Sequence, residues 1–573
     1  MRLFQALRRK RKKAKEKPRE KGPRIDQGVL IRELEEDYQV VDSYPVHNPL
    51  AVVKIVRSPK LGAGYHYFVE EAPLNERERR VYEKLVSILS RELQPPEDWD
   101  VDVRAYIMKE ALRIAGRYKR SLGKFKEESW KKIFYYVVRN LAGYGPLDVL
   151  MADPNIEDIS CNGIGRPIYV WHRKYESVPT NLTFMDEQAA NDFIVKLAHK
   201  GAKHISSAHP LLDAMLPEKH RLAATFMREV STHGSTFCIR KFRSDPLSII
   251  DLINFGTLDE NLAAYFWMLL ENKMSFLILG GTGAGKTSLL NALLSLLSEN
   301  DKVITVEEVA ELNPPHENWV QLVSRRGFQF GSSVTTNIET FDLVRLSLRY
   351  RPDYIIVGEV RGEEAYVLFQ AVATGHGGLC TMHADSLDHA VKRLTSPPMN
   401  VAKVYIPLMN VALHVARVEL PRPRGGLRFG RRVRSVMEIL DYEDYNQISR
   451  WNPAKDLFET DIGKSVLLQR IAEMRGMDVE EVREEVGRRA NFLRRMAEEG
   501  IRDQREVAKR ILGYYEELRN RPQITSTRTK LKLIKSVRTL KNGKTITIWR
   551  YPKGAIDPVT GEKIGGRIAR VER

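Results

Sequence analysis

Eight consecutive residues, Gly280-Gly-Thr-Gly-Ala-Gly-Lys-Thr287, fit the spacing G-x-x-x-x-G-K-[ST]. Each residue type has a task in holding a phosphate chain. The glycines let successive backbone N–H groups turn inward around an anion. Lys286 supplies a point charge for the β- and γ-phosphates, and Thr287 supplies a hydroxyl for Mg²⁺. The run Phe276–Leu279 reads as the strand before the loop, and Ser288–Leu297 as the helix after it. The loop therefore lies at a helix N-terminus, where the potential is positive. The candidate nucleotide site is Gly280, Gly281, Thr282, Gly283, Ala284, Gly285, Lys286, Thr287 and Ser288. No guanine-reading motif is seen, so the expected nucleotide is ATP. Such a loop specifies binding and not a task.

More of the chemistry lies downstream. Tyr354-Ile-Ile-Val-Gly-Glu359 is an apolar strand ending in a carboxylate. In a doubly wound sheet the C-terminal strand ends line the ligand crevice, so Glu359 is expected to face the γ-phosphate. There it orders a water of the Mg²⁺ or the attacking water itself, and both roles stay open. Val303-Ile-Thr-Val-Glu-Glu308 repeats the pattern. One of Glu307 and Glu308 is a candidate base that orients the water; a capping role for Glu307 competes. Thr374-Gly-His-Gly-Gly-Leu-Cys-Thr-Met-His383 delivers an imidazole after a short strand. His383 is a candidate phosphate sensor or link to a neighbouring subunit, against the alternative of a structural histidine. His376 is the weaker candidate.

These groups need a scaffold of alternating strands and helices. From about 250 to 445, short apolar runs alternate with helical patterns, which predicts a parallel sheet covered by helices. Before it, 143–243 alternates β-like runs with one clear helix, Glu187–Lys200, as an α+β domain does. Gly143-Tyr-Gly-Pro-Leu147 opens that unit, and Arg243-Ser-Asp-Pro246 reads as a linker closing it. In 29–70 short β-like runs mix with Pro and Gly turns, and helical periodicity dominates 74–142. The expected segments are a basic arm (1–24), a mostly helical N-terminal domain (25–142), the α+β domain (143–243), the nucleotide-binding domain (250–450), a helical C-terminal domain (455–521) and a basic tail (523–573). In the tail, Asn542-Gly543 between β-rich runs predicts a hairpin.

Composition bounds the possibilities. A chain of 573 residues exceeds one core, and 43% apolar with 29% charged residues excludes collagenous and wholly disordered chains. No apolar run approaches the roughly 18 residues of a membrane span, and no secretory leader is expected from the basic start. Cys161, Cys238 and Cys380 form neither a metal pattern nor a disulfide framework, so a reducing cytosol is expected. Net charge is +18. Segment 1–24 holds 12 basic and two acidic residues, and 521–573 holds 14 basic and three acidic, which leaves 18 − 10 − 11 = −3 for the middle. The basicity belongs to the ends, which speaks against a nucleic-acid-binding body. The arm, with Leu3, Phe4, Ala6 and Leu7 among its charges, suits an anionic membrane surface; a solvated arm is the alternative.

The motifs together resemble the type II/type IV secretion ATPase superfamily. They are the Walker A loop, an "aspartate box" VITVEEVAEL (303–312), a Walker B segment RPDYIIVGEVRG (351–362) and a "histidine box" ATGHGGLCTMHAD (373–385). GYGPLDVLMADPNIEDISCNG (143–163), VWHRKYES (170–177) and STFCIRKF (235–242) are most similar to its archaeal branch, the archaellum motor and archaeal pilus and secretion relatives. The resemblance covers about 100–520. It implies a RecA-like P-loop core, ATP and Mg²⁺ as cofactors, and a hexameric ring of this chain. It also implies a cytoplasmic location, peripheral at the inner face of the membrane, a polytopic membrane platform protein as partner, and pilin-like filament subunits moved indirectly. Carried over by position, Glu308 and Glu359 are the catalytic or Mg²⁺-associated carboxylates, Thr287 and Glu359 the metal-side residues, and His383 the histidine-box residue. Arg221, Arg228 and Arg240 are the candidates for arginines that complete the site. Glu307-Glu308 stands where many relatives have Glu-Asp, and the four-cysteine zinc insert of many bacterial relatives is absent. The alternative from another class is a RecA-like nucleic-acid motor, which a basic stripe or aromatic platform within 100–520 would favour.

Overall fold

Parallel strands without an exposed face must be apolar along their whole length, and several strands here are. The computed structural model describes residues 24–572 except 48, 96–100, 243–245, 326–328, 331–332, 335–336, 425–426, 521–533, 540–544 and 551–567. The basic arm, apart from Arg24, lies outside the described residues, as do most of the expected linker and the Asn542-Gly543 turn.

Among the described residues the first sheet has eleven strands. They are β1 (Arg24–Asp26), β2 (Val29–Ile31), β3 (Gln39–His47), β4 (Ala51–Ser58), β5 (Gly62–Glu71), β6 (Ile156–Cys161), β7 (Pro167–His172), β8 (Glu176–Phe184), β9 (Leu211–Met215), β10 (Arg221–Thr225) and β11 (Thr236–Arg240). The order is β3-β4-β5-β8-β7-β6-β11-β10-β9, with β1–β2 attached through β2 to β8. Alternation drives this sheet: Ala51, Val53 and Ile55 on β4, and Ile168 and Val170 on β7, point into one core. Each fully buried Val, Leu or Ile there contributes about 1.5–3 kcal/mol. The register sets Arg221 opposite Arg240 and Arg240 opposite Asp158, so three charged side chains line one end of the sheet.

The helices Glu76–Glu92, Val103–Arg117 and Glu127–Leu141 carry a separate core of Leu85, Leu89, Ile107, Ala111, Ile114, Ile133 and Val137. Asn75 and Glu78 close a capping box at its start. Strands 24–71 share their core with 144–239, whereas the helical core starts at 76. The segment expected at 25–142 thus combines both. Arg139 joins them: its Nη1 lies 2.8 Å from Asp26 and its Nε 2.8 Å from Glu71, with the guanidinium fully buried.

The second sheet contains β12 (Phe276–Leu279), β13 (Val303–Glu307), β14 (Trp319–Val323), β17 (Tyr354–Val357), β18 (Gly377–Met382), β19 (Val411–Arg424), β20 (Leu427–Asp441), β21 (Asp444–Asn452) and β22 (Leu457–Thr460). Two short strands, β15 (Gln329–Phe330) and β16 (Ser333–Val334), pair outside it. Its order is β14-β13-β17-β18-β12-β19-β20-β21-β22. The pairings up to β12–β19 are parallel and those beyond are antiparallel. One strand, β18, separates β12, which leads into the loop, from β17, which leads to Glu359. That arrangement, with β12, β17 and β18 buried throughout, is the expected RecA-like α/β core. Its C-terminal strand ends coincide, since Leu279 faces Met382 and Val357 faces Cys380.

The sheet continues to Thr460, and the helices Val466–Arg475 and Val479–Glu498 follow. Residues 508–573 form a unit of their own, holding the order β23 (Ile534–Thr539), β24 (Thr545–Arg550) and β25 (Ile568–Glu572), all antiparallel. Two of its strands are the pair expected around residue 542. Among the described residues no helix is long and apolar enough to cross a membrane.

Candidate functional site

The loop Gly280–Gly285 joins β12 to the helix Lys286–Leu294. Gly283 (φ 69°) and Gly285 (φ 94°) take left-handed backbone that a side chain disfavours. Lys286 is buried, and its Nζ donates to the carbonyls of Gly280 and Gly281, each at 3.0 Å. It also lies 3.2 Å from His383 Nε2. With Lys286 as the donating ammonium, that nitrogen is the acceptor and the ring proton belongs on Nδ1. Burial lowers the pKa of both Lys286 and His383, and each cation depresses the ring further. The nearby Glu359 carboxylate opposes both shifts.

Glu359 follows the end of β17, and its Oε1 is 3.6 Å from His383 Nε2. That oxygen is buried and accepts no hydrogen bond among the described residues. The other carboxylate oxygen takes a 2.7 Å bond from Arg361 Nη2. Arg361 Nη1 reaches Glu308 at 3.3 Å, which brings Glu308 to the rim of the site with half of its side chain exposed.

Glu307 has a different task. Its Oε1 accepts from the backbone of Glu311 and Leu312, both at 2.8 Å, and its Oε2 from Gln321 Nε2 at 3.1 Å. It pins the turn after β13, and burial pushes its pKa to about 7. The turn so pinned presents Glu311, which strand-end logic passes over because it stands four residues beyond β13. Burial raises the Glu311 pKa; a hydrogen bond from Thr287 and the charges of Arg240 and Arg221 lower it, and Glu359 raises it. Thr287, Glu311, Glu359 and the two arginines therefore share one electrostatic neighbourhood.

The arginines come from the first sheet. Arg240 is held by Asp158 at 3.1 Å and Arg221 by Asp213 at 3.0 Å. Arg228, on the loop beyond β10, turns instead to Glu187 at 3.0 Å, at the start of the helix Glu187–Lys200. His376 bonds locally with Thr374 and the Ala371 carbonyl. Arg431 on β20 is a further neighbour of the loop: its Nε donates to the Gly283 carbonyl at 3.2 Å. Only the strand register reveals it.

The donor set suits a magnesium nucleotide. The Thr287 hydroxyl and the Glu311 and Glu359 carboxylates are hard oxygen donors, and Glu359 Oε1 is buried without a bond. Among the described residues no group of three or more His, Cys, Asp or Glu could hold a metal unaided, so phosphate oxygens and water would complete any Mg²⁺ shell.

A family description, type II/IV secretion system protein, matches residues 165–421. An uncharacterized protein of Methanocaldococcus jannaschii is 34% identical over 516 residues, 85% of this chain and 91% of that protein. A protein of Mycobacterium tuberculosis, provisionally designated a conjugal transfer protein, is 33% identical over 299 residues, 50% of this chain and 83% of that one. Among solved structures, the ATPase DotB of Legionella pneumophila aligns with 19% identity and a TM-score of 0.38, over 63% of this chain and 92% of that one.

Proposed function

Because the chain belongs to the type II/IV secretion system protein family, we propose that it is a ring ATPase of the archaeal branch. It couples ATP hydrolysis to assembly, secretion or rotation of a type IV pilus-like filament or secretion system. One observation carries this reading: Lys286, His383 and a buried, unbonded oxygen of Glu359 meet at the C-terminal edge of the parallel sheet. The long match to an archaeal relative supports the branch.

Each residue has a role in the proposed reaction. Lys286 leaves the Gly280 and Gly281 carbonyls for the β- and γ-phosphates, whose negative charge holds it ionised and attracts it strongly in the water-poor site. Thr287, oriented by Glu311, would hold Mg²⁺, which when bound would neutralise charge on the phosphate oxygens. Glu359 Oε1 orients the attacking water and accepts its proton, while the γ-phosphate is cleaved from the ADP leaving group. His383 reports on the phosphate through its bond to Lys286. Arg240 and Arg221, at the sheet end facing Glu311, supply positive charge as the reaction proceeds. Glu308 holds Arg361 in register with Glu359.

As a ring, the chain works with further copies of itself at the inner face of the membrane, docked on a polytopic platform protein and acting indirectly on pilin-like subunits. Phosphate release from ATP by the purified full chain tests the chemistry. Lys286→Ala abolishes turnover, and Glu359→Gln leaves nucleotide bound and uncleaved. Parental turnover in Lys286→Ala refutes the assignment.

A further inference from the structure

We propose that Arg431 binds the phosphate chain of the nucleoside triphosphate held by the P-loop, and that Glu157, from the other sheet, competes with the nucleotide for it. The inference rests on the proposed nucleotide site and adds a ligand residue and a coupling to it.

The position of Arg431 follows from the strand register. β19 runs parallel to β12, with Leu279 facing His414, and then continues past the end of β12. At Gly280 a Cβ would come within 2.3 Å of the Val415 carbonyl, so β19 travels directly beside the loop. β20 returns antiparallel and sets Arg431 opposite Arg417. The Arg431 stem packs against the loop itself: a Cβ at Gly285 would meet its Cδ at 2.9 Å.

Two arginines directly opposite on neighbouring strands share a face and repel, so each needs an anion. Arg417 has a firm one, since it pairs with Glu176 and lies over the rings of Phe429 (4.5 Å) and Trp171 (5.7 Å). Arg431 is poorly provided. Among the described residues its anion is Glu157, 3.8 Å from Nη2, and Glu157 is shared with Arg173 at 3.6 Å. Its firm hydrogen bond is the one from Nε to the Gly283 carbonyl, and almost half of its side chain is exposed.

A planar guanidinium anchored by Nε on a phosphate-binding loop keeps its Nη donors for another acceptor. Phosphate oxygens match that fork and form charge-assisted bonds with it. A nucleoside triphosphate brings several negative charges against the one of Glu157, and the exchange favours the nucleotide. Among the described residues two ion pairs join the β19–β20 hairpin to the first sheet, Arg417 to Glu176 and Arg431 to Glu157, and Arg417 also lies over the Trp171 ring. Nucleotide binding breaks the second and spares the first.

The test is the affinity of the full chain for a fluorescent ATP analogue with Mg²⁺, with thermal melting to verify the fold. Arg431→Ala is expected to weaken binding about tenfold or more, and Arg431→Lys to recover part of the loss. Glu157→Gln is expected to tighten binding severalfold, the opposite of what loss of a merely structural ion pair would do. In the Arg431→Ala background Glu157→Gln is expected to have no effect. The inference is overturned if Arg431→Ala and Arg431→Lys both bind within twofold of the parent, or if Glu157→Gln acts equally with and without Arg431. A parent that binds no nucleotide refutes the proposed function, and this inference with it. A parent that binds, and loses binding on Lys286→Ala but not on Arg431→Ala, refutes this inference alone.

Discussion

Glu311→Gln separates the carboxylate that serves the reaction from the ones that only surround it. The substitution keeps the size of the side chain and an oxygen for the Thr287 hydroxyl, but removes the charge. A hydrogen bond to a charged acceptor is worth about 1.5–3 kcal/mol and a neutral one about 0.5–1.5, so Thr287 loses roughly 1–1.5 kcal/mol of orientation. That is about a tenfold weaker hold on Mg²⁺. Arg240 and Arg221 also lose the charge they face. Misplacing them costs up to about another tenfold in rate. The expected result is a fall in single-turnover hydrolysis of about 10- to 100-fold, partly relieved by raised Mg²⁺. Glu308→Gln is the control. Its carboxylate is 49% exposed, and its ion pair with Arg361 is 3.3 Å long. Such a pair is worth about 0–1 kcal/mol, so the loss should stay below about fivefold. Rapid-quench measurement of phosphate with enzyme in excess over ATP reads both. If Glu308→Gln falls as far as Glu311→Gln, or if Glu311→Gln hydrolyses at the parental rate, the reasoning from the pinned turn is wrong.

The three arginines should divide. Arg240→Ala and Arg221→Ala lower steady-state hydrolysis by tenfold or more in rough terms, while Arg228→Ala, whose partner is Glu187, leaves it within about twofold; equal losses in all three refute the division. Glu307 makes stability depend on pH. Its folded pKa of about 7 lies above the 4.5 of an ordinary glutamate, so between those values the folded chain holds a proton that the unfolded chain has released. Stability therefore falls as pH rises from about 4.5 to about 7, by up to about 3 kcal/mol; denaturant midpoints of the parent should show this slope, and Glu307→Gln should flatten it. Deleting 1–24 should reduce sedimentation with anionic vesicles at low salt and leave ATP hydrolysis nearly intact, because the arm contributes about 1 kcal/mol per basic residue near such a surface; equal sedimentation of the deleted form refutes the membrane role of the arm.

Much of the site is legible in the sequence because its parts sit at strand ends. Phe276–Leu279 and Tyr354–Val357 are apolar throughout, which only a strand covered on both faces requires, and the residues that follow such strands fall on one edge. Lys286, Glu359 and His383 are found this way. Glu311 is not, because its place depends on hydrogen bonds from the turn to Glu307, a tertiary detail without periodicity. Arg221, Arg228 and Arg240 look alike as letters. The antiparallel register of β10 and β11 sets two of them side by side and leaves Arg228 on a loop. Arg431 escapes for the same reason, since its position rests on the pairing of β19 with β20. The β-like runs of 29–70 are recognisable as strands, but their joining to β8 spans more than a hundred residues and leaves no local mark.

The burial of Arg139 between Asp26 and Glu71 has a mechanical consequence. Parting a buried arginine from its carboxylates exposes an unpaired charge and costs about 3–5 kcal/mol. The helix Glu127–Leu141, which carries Arg139, is therefore clamped to the sheet at that point. A movement of the sheet is therefore passed to the helix that carries Arg139 rather than absorbed between them.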